Sequence, residues 1–138
     1  MALVDAKLML SDAQTMAVAT AATTASTNII DLGAASPNIG RGTPIWAHVR
    51  VGTACAGSAS STLAVYVQHC ATVDGTYATL LSYSAASIAN FTGGLKVIEN
   101  PLPGAVNRYV KVSYVNAASS ITAGTMDAWL DMTELETI

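Results

Sequence analysis

Two stretches near the end of the chain, residues 107–115 and 121–130, alternate apolar and polar side chains almost residue by residue. A period of two is the mark of a strand with one buried face, since on a helix the same pattern would scatter the apolar groups around the axis. In the first stretch Val110, Val112 and Tyr114 share one face, while Tyr109, Lys111 and Ser113 share the other. In the second, Met126, Ala128 and Leu130 oppose Thr125, Asp127, Trp129 and Asp131. The polar bridge of residues 116–120 predicts that the two stretches pair as one long antiparallel hairpin.

The same period recurs upstream. Residues 45–51 place Ile45, Ala47, Val49 and Val51 inward and Trp46, His48 and Arg50 outward. Residues 62–68 place Leu63, Val65 and Val67 inward and Ala64, Tyr66 and Gln68 outward. These two segments are expected to form a second hairpin across the small-residue loop 52–61. Asp74-Gly75 is a strong turn signal, so residues 76–82 double back as a strand, with 84–89 irregular. Further short strands are expected at 28–32, at 95–99 before Pro101, and weakly within 13–28, whereas 36–44 holds two prolines and two glycines and reads as a structured loop. No stretch shows a convincing 3.6-residue period. About eight short antiparallel strands with regular turn signals predict an all-β chain, a jelly-roll-like β-sandwich in a single domain.

With 138 residues, one domain is the size expectation. We place it at residues 13–132, between an amino-terminal arm (1–12) and an acidic tail (133–138). The arm contains Leu3, Val4, Leu8, Met9 and Leu10. It is too apolar to dangle, so it either docks on a partner or forms the first edge strand of the domain.

Charged residues make up only 11% of the chain, with a net charge of −3, against about a quarter in an ordinary soluble domain. Ala, Ser, Thr and Gly occupy the positions that charges usually hold. Such a surface suits a protein that works packed in an assembly. Without a basic run, nucleic-acid binding lacks its electrostatic footprint, and without an apolar run of about 18 residues no membrane span is expected. The first residues lack a basic leader followed by an apolar block, which predicts synthesis and use in a cytoplasm, with Cys55 and Cys70 as thiols.

Constellations that would carry catalysis are not apparent. Gly40-Arg41-Gly42 is followed by no Gly-Lys-Ser/Thr, which sets a phosphate loop aside. His48 and His69 are the only histidines, each in or at the end of a strand and neither near a nucleophile motif. Asp127 and Asp131 share a strand face about 13 Å apart, wider than a glycosidase pair. No loop gathers enough acids for calcium, and the two cysteines do not form a metal pair. The expectation is no enzyme, no cofactor and no metal. The residue types that remain are those of a binding surface: Trp46, His48, Arg50, Tyr66, Tyr109 and Trp129 on nominally outer strand faces, with Leu8 and Met9 from the arm.

With these segments laid out, the chain resembles the capsid cement (decoration) proteins of tailed bacteriophages, of the Bordetella phage type. The similarity is carried by Asn28-Ile29-Ile30-Asp31-Leu32-Gly33, by Ile39-Gly40-Arg41-Gly42 with Pro44, and by Asp74-Gly75-Thr76-Tyr77. It continues through residues 103–114 and 122–129, so that nearly all of 12–130 is involved. The resemblance implies a jelly-roll protein bound to the outside of the major capsid protein shell, over joints between capsomers. It also implies a homo-oligomer, a dimer before a trimer, on the outer surface of the virion. The alternative is a β-sandwich that recognises a glycan or host surface through Trp46 and Trp129.

Overall fold

The computed structural model describes residues 9–32, 45–103 and 106–131. Leu8 with the rest of the arm before it, the loop at 33–44 and the acidic tail lie outside the described residues.

Eleven strands run through the described residues: β1 (Met9–Thr15), β2 (Ala22–Ala25), β3 (Ile30–Asp31), β4 (Trp46–Val51), β5 (Ala56–Gly57), β6 (Thr62–Cys70), β7 (Ala78–Ser87), β8 (Lys96–Pro101), β9 (Tyr109–Ala117), β10 (Ile121–Ala123) and β11 (Thr125–Asp131). The first sheet has the order β1-β11-β4-β8 and the second β2-β9-β6-β7, all antiparallel; β3 also pairs β9, and β5 and β10 form a small ribbon. Leaving out the two- and three-residue strands, eight remain in two four-stranded sheets with the connectivity of a jelly roll. The all-β sandwich expected from strand periodicity is the fold observed.

Both expected hairpins are corrected. β9 and β11 lie in opposite sheets, as do β4 and β6. Of the connections between the eight main strands, β6 to β7 alone stays within one sheet, and it is the one marked by Asp74-Gly75. Alternation records which side of a strand is buried, but both sheets of a sandwich offer the same buried side. It therefore cannot say which sheet a strand joins. Gly124 lets the chain turn from β10 into β11: its φ is +132°, and a Cβ there would sit 2.6 Å from Cys55 Sγ and 2.9 Å from Cys55 Cα.

The inward faces are those the alternation gave. Ala47, Val49, Val51, Met126, Ala128 and Leu130 of the first sheet are buried against Leu63, Val65, Val67, Val110, Val112 and Tyr114 of the second. Phe91 and Ile88 join the same core, with the Tyr83 ring edge-on to Phe91 at 5.6 Å. Strand β7 runs to Ser87, five residues past its expected end, before a 3-10 turn at Ile88–Asn90. The small residues there have weak strand preference, and pairing of Ala86 with Leu63 and Ser87 with Thr62 overrides it. β7 also carries one extra residue relative to β6 between Thr79 and Leu81, and another between Tyr83 and Ala86. Such bulges reset the side-chain phase, which is how the adjacent Leu80 and Leu81 both pack on the core.

From Met9 onward the former arm is the edge strand of the first sheet, bulged between Met9 and Ser11 and again between Ser11 and Gln14. Ala13 sits in the second bulge at φ +48°, its N–H donating to Asp127 Oδ1 at 2.7 Å. Polar side chains then close this side of the sandwich. Gln14 Oε1 accepts from Ser11 Oγ (2.7 Å) and from the Thr27 N–H (2.8 Å), while Gln14 Nε2 donates to Ala25 O at 2.8 Å. Cys55 and Cys70 are both free thiols. Burial raises the Cys55 pKa, and Cys70 Sγ lies 3.9 Å from Thr72 Oγ1 beside the β6–β7 turn.

Candidate functional site

In β4 the outward residues are Trp46, His48 and Arg50, and in β11 they are Asp127, Trp129 and Asp131. The register sets Trp129 opposite His48, Asp127 opposite Arg50 and Asp131 opposite Trp46. β8 continues the pattern with Glu99 opposite His48, and β1 with Met9 opposite Trp129. A single row, Met9, Trp129, His48 and Glu99, thus crosses all four strands on the outer face of the first sheet.

Strand spacing stacks the rings in this row. Neighbouring strands lie about 4.8 Å apart and same-face residues about 6.8 Å apart along a strand. The His48 and Trp129 centroids are 5.2 Å apart with 24° between planes, and those of Trp46 and His48 are 6.4 Å apart at 16°. The His48 ring plane is thus near-parallel to both indole planes. His48 is 1% exposed and Trp129 6%, whereas Trp46, Arg50 and Met9 are half-buried. The alternation gave the side of the sheet correctly, but not that stacking would bury two of the three rings.

Trp129 Nε1 and Glu99 Oε1, both in this row, are buried without a hydrogen-bond partner among the described residues. The other Glu99 oxygen lies 3.4 Å from Lys96 Nζ. Beside the stack runs a groove of about 520 Å³, lined by Met9, Asp12, Arg50, Val51, Gly52, Gly94, Asp127 and Trp129. It joins apolar walls to one cation and two carboxylates.

Tyr66 and Tyr109 lie on the other sheet, opposite Ser113 and Cys70 respectively. They form a second surface. Arg108 sits 5.1 Å from the centroid of the Tyr109 ring and holds Asp31 through both carboxylate oxygens, at 2.7 and 2.9 Å. That hydrogen bond, then the Asp31 charge, raises the Arg108 pKa. Lys111 Nζ lies 4.2 Å from the centre of the Tyr77 ring, whose own pKa is raised by burial first and by nearby Cys70, Asp74 and Tyr109 second. The structure therefore brings Met9, Trp46, His48, Arg50 and Trp129 together and sets Tyr66 and Tyr109 apart, while Leu8 lies outside the described residues. The sequence reading missed Tyr77, because it stands next to the turn and not within an alternating stretch.

The two histidines hold structure. His69 Nδ1 accepts the Asn107 N–H at 2.9 Å, which fixes the ring and leaves its proton on Nε2. His48 is buried beside both indoles, with Trp129 across the strand pair and Trp46 along its own strand. Among the described residues no group of three His, Cys, Asp or Glu side chains is placed to hold a metal ion, and no helix is long and apolar enough to cross a membrane.

The chain is thus an all-β sandwich of jelly-roll connectivity, with an aromatic cluster over the outer face of its first sheet. Among known families, the family model Bbp16 matches residues 10–130. The chain belongs to the Bbp16 family, a Bordetella phage protein family. No curated protein matches it.

Proposed function

We propose that this protein is a capsid cement protein, which binds the outside of the major capsid shell without catalysing a reaction and staples neighbouring capsomers. The observation that carries the reading is the Trp46–His48–Trp129 stack over the outer face of the first sheet, beside a groove with mixed charge. Membership of a phage family gives that surface its context. Half-buried Trp and Arg in a pre-formed, ordered patch lose little conformational freedom on docking, which makes them effective anchors. The partners are the major capsid protein and a second copy of the chain, with a dimer the favoured order. Binding the assembled state alone stabilises it by mass action, and repetition over the shell makes modest individual contacts collectively effective.

The glycan reading is less well supported. Sugar platforms present a ring face to solvent, whereas here the faces of His48 and Trp129 are turned on each other and buried. The test is to strip the protein from particles and heat them. Genome release at a lower temperature, restored by adding the protein back, is the expected result. An unchanged release temperature rules the reading out.

A further inference from the structure

The four sheet edges are closed to different degrees. β8 carries the Lys96–Glu99 pair and ends on Pro101. β1 is bulged twice, and its backbone accepts from Asn28, whose N–H reaches Leu10 O at 3.0 Å and whose Nδ2 reaches Met9 O at 3.3 Å. β2 has four residues, with Ala25 O taken by Gln14. Charge, proline, bulging and cover are the usual means of blunting an edge.

Among the described residues, β7 has bulges but none of the other three. It is ten residues long, contains no charged residue and no proline, and pairs only with β6 among the described strands. Ala78, Thr79, Ser82, Ser84, Ala85 and Ser87 are exposed, so solvent reaches the strand along its length. Every second residue of such a strand turns its N–H and C=O outward, where another extended backbone can pair with them.

We propose that β7 is a strand-addition site, at which an extended segment of a capsid subunit pairs along this edge and lengthens the second sheet by one strand. The inference rests on the cement reading for the identity of the partner. The bulges decide between a segment and a second copy. Two copies of β7 meeting about a two-fold axis would each bring two bulges, at 79–81 and 83–86, already fixed by a wound sheet. A single extended segment can follow them residue by residue. On the core side of β7, Leu80, Leu81, Tyr83 and Ala86 pack against the hydrophobic core, so a segment that continues this face is apolar where it lies beside them. At the carboxyl end of the strand a cleft of about 270 Å³, lined by Cys55, Ala56, Ser58, Ile88 and Ala89 among others, has the size and lining for one apolar side chain of the added segment.

Amide hydrogen exchange tests this, measured on the full chain alone at two concentrations and on the chain bound to particles stripped of it. Alternate β7 amides should exchange at least about tenfold more slowly in the bound state. They should exchange equally fast at both concentrations of the free chain. Binding with β7 exchange unchanged overturns strand addition and leaves the cement reading standing. Protection that grows with concentration in the free chain overturns it in favour of self-pairing. Failure to bind the stripped particles overturns both readings.

Discussion

The hydroxyl of Ser11 on β1 and that of Tyr114 on β9 meet at 2.8 Å across the sandwich, linking an edge strand of one sheet to a central strand of the other. Both residues are nearly inaccessible, Ser11 at 0% and Tyr114 at 1%. Ser11 Oγ also donates to Gln14 Oε1, which orients the pair. Tyr114→Phe keeps the ring and removes the bridge, and should lower stability by about 1–2 kcal/mol in thermal denaturation. Ser11→Ala should cost a similar amount, with the double variant less destabilised than the sum of the two.

Tyr114 also sets an alkaline limit. Burial raises its pKa well above the usual phenol value, while the Ser11 contact acts weakly the other way. Tyrosine in the unfolded chain titrates near 10. The stability that depends on this neutral phenol is therefore complete below about pH 10 and is lost as pH rises above it, because the unfolded chain releases the proton first. Tyr77 shifts in the same direction. Urea midpoints should be flat in this respect through neutral pH and fall above about pH 10, less steeply in Tyr114→Phe.

Gly124 and Gly93 make a matched pair. A Cβ at Gly124 would meet the Cys55 backbone at 2.9 Å from a left-handed φ, whereas at Gly93 the nearest atom is Gly52 O at 3.4 Å. Gly124→Ala should cost about 2–3 kcal/mol and Gly93→Ala less than about 0.5 kcal/mol, read from denaturant midpoints.

The two tryptophans should separate folding from assembly. Trp129 is buried between Met9 and His48 in the register, so Trp129→Ala should destabilise the free protein by about 3 kcal/mol. Trp46 is half-buried at the outer end of the stack, and Trp46→Ala should leave the free protein folded while weakening its sedimentation with stripped particles about tenfold or more. Equal losses of stability in both variants would contradict this division.

What could be read from the sequence follows from what alternation encodes. The inward sets in β4, β6, β9 and β11 were legible because each strand has one oily face, and the Asp74-Gly75 turn because its backbone demands are local. Sheet membership was not, since β9 and β11 carry the same pattern on opposite sides of one core. The extra residues in β7 and the buried Val97 beside Ile98 in β8 were hidden for a related reason. A bulge appears only against its partner strand. The aromatic outer face was visible as residues out of place at Trp46 and Trp129, but the row through Met9 and Glu99 needed the register of four strands.

A cryo-electron microscopy map of the phage particle tests the central claim most directly. The account predicts density for this jelly roll on the outside of the shell, over joints between capsomers, with the face bearing Trp46, His48 and Trp129 turned against a neighbouring chain. A particle lacking this density, or one in which that face is open to solvent at every copy, would contradict it.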